Sequence, residues 1–231
     1  MGFMNPPRSY RILLSVLLLG VGLPAARAQT STFSSNDEGW TLVSFGDLSL
    51  NNFAIAGNYA ATYSATGGNP GGFIGTGDPD GGDTTFSAPA FFLGNRTVAI
   101  GTAFTYDLMH SGANNYNATD LIFQGNGMRL LWQANPALAP TTSWLNVSVT
   151  LAPSAQWHVN TSNGAVATMA DFQNVFSNLN GIFIRAEYTS GGETDGLDNV
   201  HLVPEPSTTS LLVLALATAA LVRRHGVRRN C

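Results

Sequence analysis

Between residues 32 and 160 apolar positions alternate with polar ones or fall in short runs, and clusters of Gly, Asn, Asp and Pro separate the runs. Side chains of an extended strand point to opposite faces in turn, so a period of two predicts half-buried strands joined by turns. Phe104, Tyr106 and Leu108 share one face of such a strand. Leu145, Val147, Val149 and Leu151 share another, with Asn146, Ser148 and Thr150 opposite, and Ile182, Ile184, Ala186 and Tyr188 repeat the pattern. One stretch departs from it. Residues 168 to 171 read as a capping box, and Met169, Phe172, Phe176 and Leu179 recur at steps of three and four, which predicts a helix of about ten residues. The expected fold is all-β: an antiparallel jelly-roll-type β-sandwich with one short helix. Its last strand, at residues 197–202, is expected near its first, around residues 33–40, because sandwiches close by pairing terminal strands.

The two ends follow other rules. Arg8 and Arg11 precede or open an apolar run at residues 12–23, which closes with Ala26-Arg27-Ala28. Charge, apolar length and small residues in this order predict a signal helix cleaved after Ala28. An amino-terminal anchor is the alternative, for which the run is short and Pro24 badly placed. At the far end Val203, Pro204, Glu205, Pro206 and Ser207 lead into an uncharged apolar run at 211–222 and then Arg223, Arg224, Arg228 and Arg229. The prolines disfavour helix, so a hydrophobic helix over 208–222 is expected to hang free of the sandwich. It is shorter than the roughly 20 residues that span a bilayer comfortably, and its arginines belong on the cytoplasmic side. A transient, processed anchor and a plain tail anchor both fit. The expected organisation is a signal peptide at 1–28, a sandwich at 29–202 and a tail at 203–231.

Only 10% of the 231 residues are charged, and every basic residue is arginine. Between residues 29 and 203 stand Arg96, Arg129 and Arg185 against thirteen carboxylates, a formal charge of −10. Phosphate contacts by basic side chains dominate nucleic-acid affinity, so this body is no nucleic-acid binder. Anionic lipid repels it for the same reason. The sole cysteine is the last residue, Cys231, which excludes intrachain disulfides, cysteine zinc sites and a thiol nucleophile in the body.

Candidate chemistry is sparse. Asp78, Asp80 and Asp83 lie in a Gly-rich loop, and hard oxygen ligands on a flexible turn suit Ca²⁺. The spacing departs from an EF-hand, with Gly82 and Asp83 at its fifth and sixth positions and no glutamate at its twelfth, so a solvated acidic turn is the alternative. Trp144 shares a strand face with Asn146 and Ser148, opposite Leu145 and Val147. With Asn146 and Tyr116 it is the candidate for a sugar-stacking platform, whereas Trp40 is expected in the core. Catalysis finds little support. Glu187 stands alone in its strand, Glu193 and Asp195 fall in a loose Gly-rich turn, and His110, His158 and His201 form no ligand pair.

Two resemblances extend this reading. The Val-Pro-Glu-Pro-Ser stretch, short apolar helix and terminal arginine cluster resemble the PEP-CTERM sorting signal of Gram-negative bacteria. That resemblance implies export through the inner membrane, transient anchoring, and processing by an exosortase-type membrane enzyme alongside exopolysaccharide production. The body carries Glu38-Gly39-Trp40, Gly68-Asn69-Pro70-Gly71-Gly72-Phe73-Ile74, Phe86-Ser87-Ala88-Pro89, Phe92-Leu93-Gly94-Asn95, Phe104-Thr105-Tyr106-Asp107-Leu108, Ile184-Arg185-Ala186-Glu187-Tyr188 and Gly196-Leu197-Asp198-Asn199-Val200-His201-Leu202. In this order they resemble the laminin B, or domain IV, module, without the cysteine-rich repeats that flank it in laminins. The module is a jelly-roll relative of carbohydrate-binding modules, which implies a structural Ca²⁺ where the chain ends meet, at Asp37 or Glu38 with Asp198. The reading is an exported, non-catalytic envelope or matrix protein that binds exopolysaccharide. A protein-contacting adhesive module and a weak glycan-processing enzyme are the alternatives. The mature amino terminus should be Gln29; mass spectrometry of surface material that finds Met1 intact contradicts this.

Overall fold

The structure, a computed structural model, describes residues 28–202. Ala26, Val203, Pro204, Glu205, Pro206, Arg223, Arg224 and both expected terminal helices lie outside the described residues. In chain order the strands are β1 (Gln29–Ser31), β2 (Thr41–Asp47), β3 (Asn52–Ala60), β4 (Thr62–Gly68), β5 (Gly71–Gly77), β6 (Asp83–Ser87), β7 (Ala103–His110), β8 (Leu121–Gly125), β9 (Met128–Trp132), β10 (Leu145–Thr150), β11 (Trp157–Val159), β12 (Leu179–Arg185) and β13 (Thr194–Leu202). One helix, α1 (Met169–Phe176), precedes β12. The first sheet runs β10-β7-β13-β5-β4 with β1 on β13, and the second runs β11-β9-β8-β12-β6-β2-β3. Neighbouring strands pair antiparallel, and the two sheets form a β-sandwich.

The last strand does lie beside the first, with Gln29 opposite Leu202 and Ser31 opposite Val200. The first strand nevertheless ends before the stretch expected to form it. Residues 33–39 are a loop because the Glu38 carboxylate accepts the Thr32 and Phe33 N–H groups (3.3 and 2.8 Å), folding the chain back. The Phe33 ring then drops into the core, 6.2 Å from the buried Trp40.

Between the sheets, Phe104 of the first meets Phe123 of the second edge to face at 5.4 Å. Phe123 in turn contacts Phe176 of α1 at 5.0 Å, and Phe172 meets Trp157 at 5.2 Å. Each such side chain removed from water contributes about 1.5–3 kcal/mol. The helix is held by Thr168 and Asp171, each accepting the other's backbone N–H, and its buried face is Phe172, Val175 and Phe176. Met169 stays 44% exposed and Leu179 opens β12, so the helix, at 8 residues, is slightly shorter than its apolar spacing predicts.

The second sheet is covered on both faces. Outside it Val43, Phe45, Leu48, Ala118, Ile122 and Leu131 form a smaller buried cluster. This explains the unbroken apolar runs Leu121-Ile122-Phe123 and Leu130-Leu131-Trp132, where both pleats face apolar neighbours. Arg185, 2% exposed, fastens the covering segment. Its guanidinium donates to the Tyr116 and Ala118 carbonyls, to Asp120 Oδ1 (3.1 Å) and to the Glu187 carbonyl, and lies 4.1 Å from the Tyr188 ring centre. Removing one member of a buried ion pair strands the other in low dielectric. Arg185→Met should therefore lower unfolding stability by about 3–5 kcal/mol, with part recovered by adding Asp120→Asn. Denaturant unfolding reads this, and a loss below about 1 kcal/mol contradicts it.

Candidate functional site

The outer face of the first sheet follows from strand parity. In β7 the side chains Phe104, Tyr106 and Leu108 are buried in the core, which turns Thr105, Asp107 and Met109 outward. In β10 Val147 and Val149 face inward, leaving Asn146 and Ser148 outside, and Trp144 continues that row. Leu197 and Ile74 in the core turn Gly196 and Asp198 of β13, and Phe73 and Gly75 of β5, to the same side. The register then sets Asn146 opposite Asp107 and Asp107 opposite Asp198. One step along, Met109 stands opposite Gly196, Gly196 opposite Gly75, and Gly75 opposite Thr62.

The first of these rows is polar. Asp107 accepts the side-chain amides of Asn146 (2.7 Å), Asn69 (3.0 Å) and Asn199 (2.9 Å). Asp198 accepts the backbone N–H groups of Asn69 (2.6 Å) and Asn199 (2.7 Å). The tip of the β4–β5 hairpin is thereby drawn over the sheet. Burial pushes the Asp198 carboxyl above its ordinary value, with Asp107 and Glu38 adding to the rise. The second row is apolar. Trp144 meets Phe73 edge to face at 5.4 Å and donates its indole N–H to the Gly67 carbonyl (2.9 Å). A Cβ on Gly196 would sit 3.0 Å from Trp144, 3.1 Å from Met109 and 3.2 Å from Phe73, so glycine floors the space between them. Beside them runs a groove of about 260 Å³ lined by Thr62, Ser64, Phe73, Gly75 and Met109.

Trp144, Asn146 and Asp198, nominated for two different tasks, thus share one face. Tyr116 lies elsewhere, on the outside of the second sheet, where its hydroxyl donates to Asp47 (3.0 Å) and Asp83 (2.8 Å). Burial pushes that hydroxyl well above its ordinary value. Of the chain-end acids, Glu38 caps the Thr32–Phe33 amides and Asp37 accepts the Gly39 N–H (2.9 Å). Among the described residues no three Asp, Glu, His or Cys side chains are already arranged to hold a metal ion.

The loop acids part company as well. Asp78 is exposed; Asp80 accepts Ser44 and Tyr59 hydroxyls and the Gly82 N–H (2.6–2.8 Å); Asp83 accepts the Leu48 N–H and the Tyr116 hydroxyl. Of the loose turn expected around Glu193 and Asp195, Glu193 stays in the loop, while Asp195 belongs to β13, which begins at Thr194. There Asp195 Oδ1 lies 2.9 Å from His110 Nδ1, inside the sandwich, and His110 Nε2 lies 3.0 Å from the Thr189 hydroxyl. Parity held the signal for this pair, since His110 continues the Phe104, Tyr106, Leu108 face and Asp195 the Leu197 face. Glu187 does not stand alone either: past the end of β12 it accepts the Thr84 N–H (3.0 Å) beside Asp83. Burial raises Glu187 to about 8 and both Glu193 and Asp195 to about 7, and lowers His110.

Fold and face together define a two-sheet antiparallel β-sandwich with a grooved, aromatic and amide-rich outer surface. The chain belongs to the laminin B (domain IV) family, whose family model matches residues 85–209. It is 30% identical over 129 residues to laminin subunit gamma-2 of Equus caballus, a match spanning 51% of this chain and 10% of that protein. The L4b domain of human laminin alpha-2 shares the sandwich, with a TM-score of 0.57 at 13% identity over 76% of this chain and 97% of that one.

Stability should depend on pH in a direction set by the buried acids. Glu187, Glu193 and Asp195 hold protons more tightly folded than unfolded, so their contribution is complete below about pH 4 and is lost as pH rises through 7 to 8. Asp47, held low by the Ser49 hydroxyl, and Asp171, held low by Thr168, lose theirs as pH falls through about 4. The melting temperature should peak near pH 4–5 and fall steadily toward pH 8.5, less steeply in Glu187→Gln. A profile that climbs from pH 6 to 8.5 contradicts this.

Proposed function

We propose that this chain is an exported, non-catalytic binding module that holds a glycan on the outer face of its first sheet. One observation carries the reading: the Trp144–Phe73 edge pair stands beside the Asp107, Asn146 and Asn199 row. Sugar rings offer an apolar C–H surface and flanking hydroxyls. An aromatic edge next to the exposed Asn146 and half-buried Asn199 amides, both fixed by the buried Asp107, suits both, in the way small-molecule sites combine apolar walls with a few directed polar groups. The ligand is the exopolysaccharide of the producing Gram-negative cell, a choice supported by the sorting-type tail at 203–231. In this reading the signal at 1–28 directs export through the inner membrane. An exosortase-type enzyme then processes the transiently anchored tail, and the body is delivered to the envelope, cell surface or extracellular matrix. Membership of the laminin B (domain IV) family supports an adhesive or binding role outside the cell.

Hydrolysis of a glycoside needs two carboxylates flanking the scissile bond. Beside this groove, Asp107 and Asp198 are engaged by amide donors and Asp195 turns its carboxylate inward to His110. Affinity electrophoresis through gels carrying the native exopolysaccharide tests the proposal. The wild-type chain should be retarded and Trp144→Ala should bind about tenfold more weakly, an effect of about 1.4 kcal/mol. Tyr116→Phe should bind like the wild type, and each variant's melting temperature reports its folding. A wild-type chain that migrates freely overturns the reading in favour of a protein-contacting module. Release of reducing ends that stops in Glu187→Gln overturns it in favour of an enzyme.

A further inference from the structure

Four carboxylates gather at the end of the sandwich where residues 78–82 carry the chain from the first sheet to the second. In the β13–β5 register Thr194 stands opposite Gly77, and Glu193 and Asp78 are the next residues beyond the paired strand ends. In the β12–β6 register Arg185 stands opposite Thr85, and the Ala186 N–H donates to the Thr84 carbonyl (2.9 Å). Glu187 then reaches the Thr84 N–H beside Asp83. One acidic pair therefore ends each sheet, and the loop spans the two.

Within this end two carboxylate oxygens have no partner. Glu193 is 8% exposed and Asp195 3%, yet Glu193 Oε2 and Asp195 Oδ2 receive no hydrogen bond. An unmet acceptor of this kind is held against a desolvation penalty and calls for a proton or a positive charge. The cations of the body are committed elsewhere. Arg185 is engaged by Asp120 and three carbonyls, Arg96 by the Phe91, Phe92 and Asn95 carbonyls, and Arg129 by Gln124. His110 is held between Asp195 and Thr189.

We propose that this end of the sandwich binds a divalent cation of the hard, oxygen-preferring class, with Glu193 and Asp78 as its carboxylate ligands and Glu187 and Asp83 as flanking charge. Ca²⁺ fits because it tolerates irregular geometry and takes carbonyl and water oxygens beside carboxylates. The ligands are not gathered in advance, since no three acids already stand in a metal-holding arrangement. Binding draws the exposed Asp78 onto the buried Glu193, and the dissociation constant belongs in the range of about 10⁻⁴ to 10⁻³ M known for extracellular modules. Gly77 and Thr194, the chain neighbours of the two ligands, also line the groove beside Phe73.

Thermal melts of the full chain with 5 mM CaCl₂ or with chelator at pH 8 test the inference. Calcium should raise the melting temperature by about 2–6 °C. Glu193→Gln should abolish the rise. Asp78→Asn, on the exposed loop, should weaken it without disturbing the fold, and Asp198→Asn should leave it intact. Equal melting temperatures with calcium and chelator at pH 8 overturn the site. So does a rise that survives Glu193→Gln and Asp78→Asn but disappears in Asp198→Asn, which assigns the ion to the chain ends.

Discussion

Thirteen carboxylates share three arginines between residues 29 and 203, and the sandwich is arranged around how most of its buried acids find a donor. Only Asp120 obtains a buried guanidinium, that of Arg185, with the Ala134 N–H as its second donor (2.9 Å). Asp107 and Asp198 are met by amides, Asp83 by a tyrosine hydroxyl and a backbone N–H, and Asp195 by a histidine. Burying an ionised carboxylate without such partners costs several kcal/mol, so each donor also decides where a loop must sit. The covering segment around Tyr116 to Asp120 lies where Arg185 reaches it. The β4–β5 hairpin tip lies where Asp107 and Asp198 reach it.

This has a functional consequence on the first sheet. The amide donors that meet Asp107 and Asp198 also hold the β4–β5 hairpin tip over the sheet. The hairpin tip held by that row also supplies the Gly67 carbonyl that orients the Trp144 indole. Polar network and aromatic edge are parts of one assembly, and the glycine at 196 leaves the space in which both meet. The acidic end is built in the opposite sense, with oxygens left open inside a cluster of like charge.

Much of this was readable from parity. Phe104, Tyr106 and Leu108, or Val147 and Val149, announce their buried face because the pleat repeats every two residues, and Thr168 with Asp171 announces a helix start through local hydrogen bonds. Asp107 and His110 follow from the same rule, as the outward and inward neighbours of a known face, although polar residues draw less attention in such a pattern. Their partners were not readable. Asn69 lies 38 positions from Asp107, and Asp195 lies 85 from His110, distances that only the strand order closes. Tyr116 and Trp144 look alike as aromatic residues in polar surroundings, but an irregular segment sends one to the outside of the second sheet. The loop at 33–39 escaped too, because a carboxylate turning the chain back on its own amides leaves no periodic trace.

The central claim is that the Trp144 and Asp107 face of the first sheet is the recognition surface. Nuclear magnetic resonance of the ¹⁵N-labelled chain titrated with oligosaccharides cut from the exopolysaccharide tests it most directly. The Trp144 indole resonance and the amide signals of Phe73, Met109 and Gly196 should move together and saturate, while those of Val43, Ile122 and Leu131 stay fixed. Movement confined to the second sheet around Tyr116, or no movement at saturating ligand, would contradict the account.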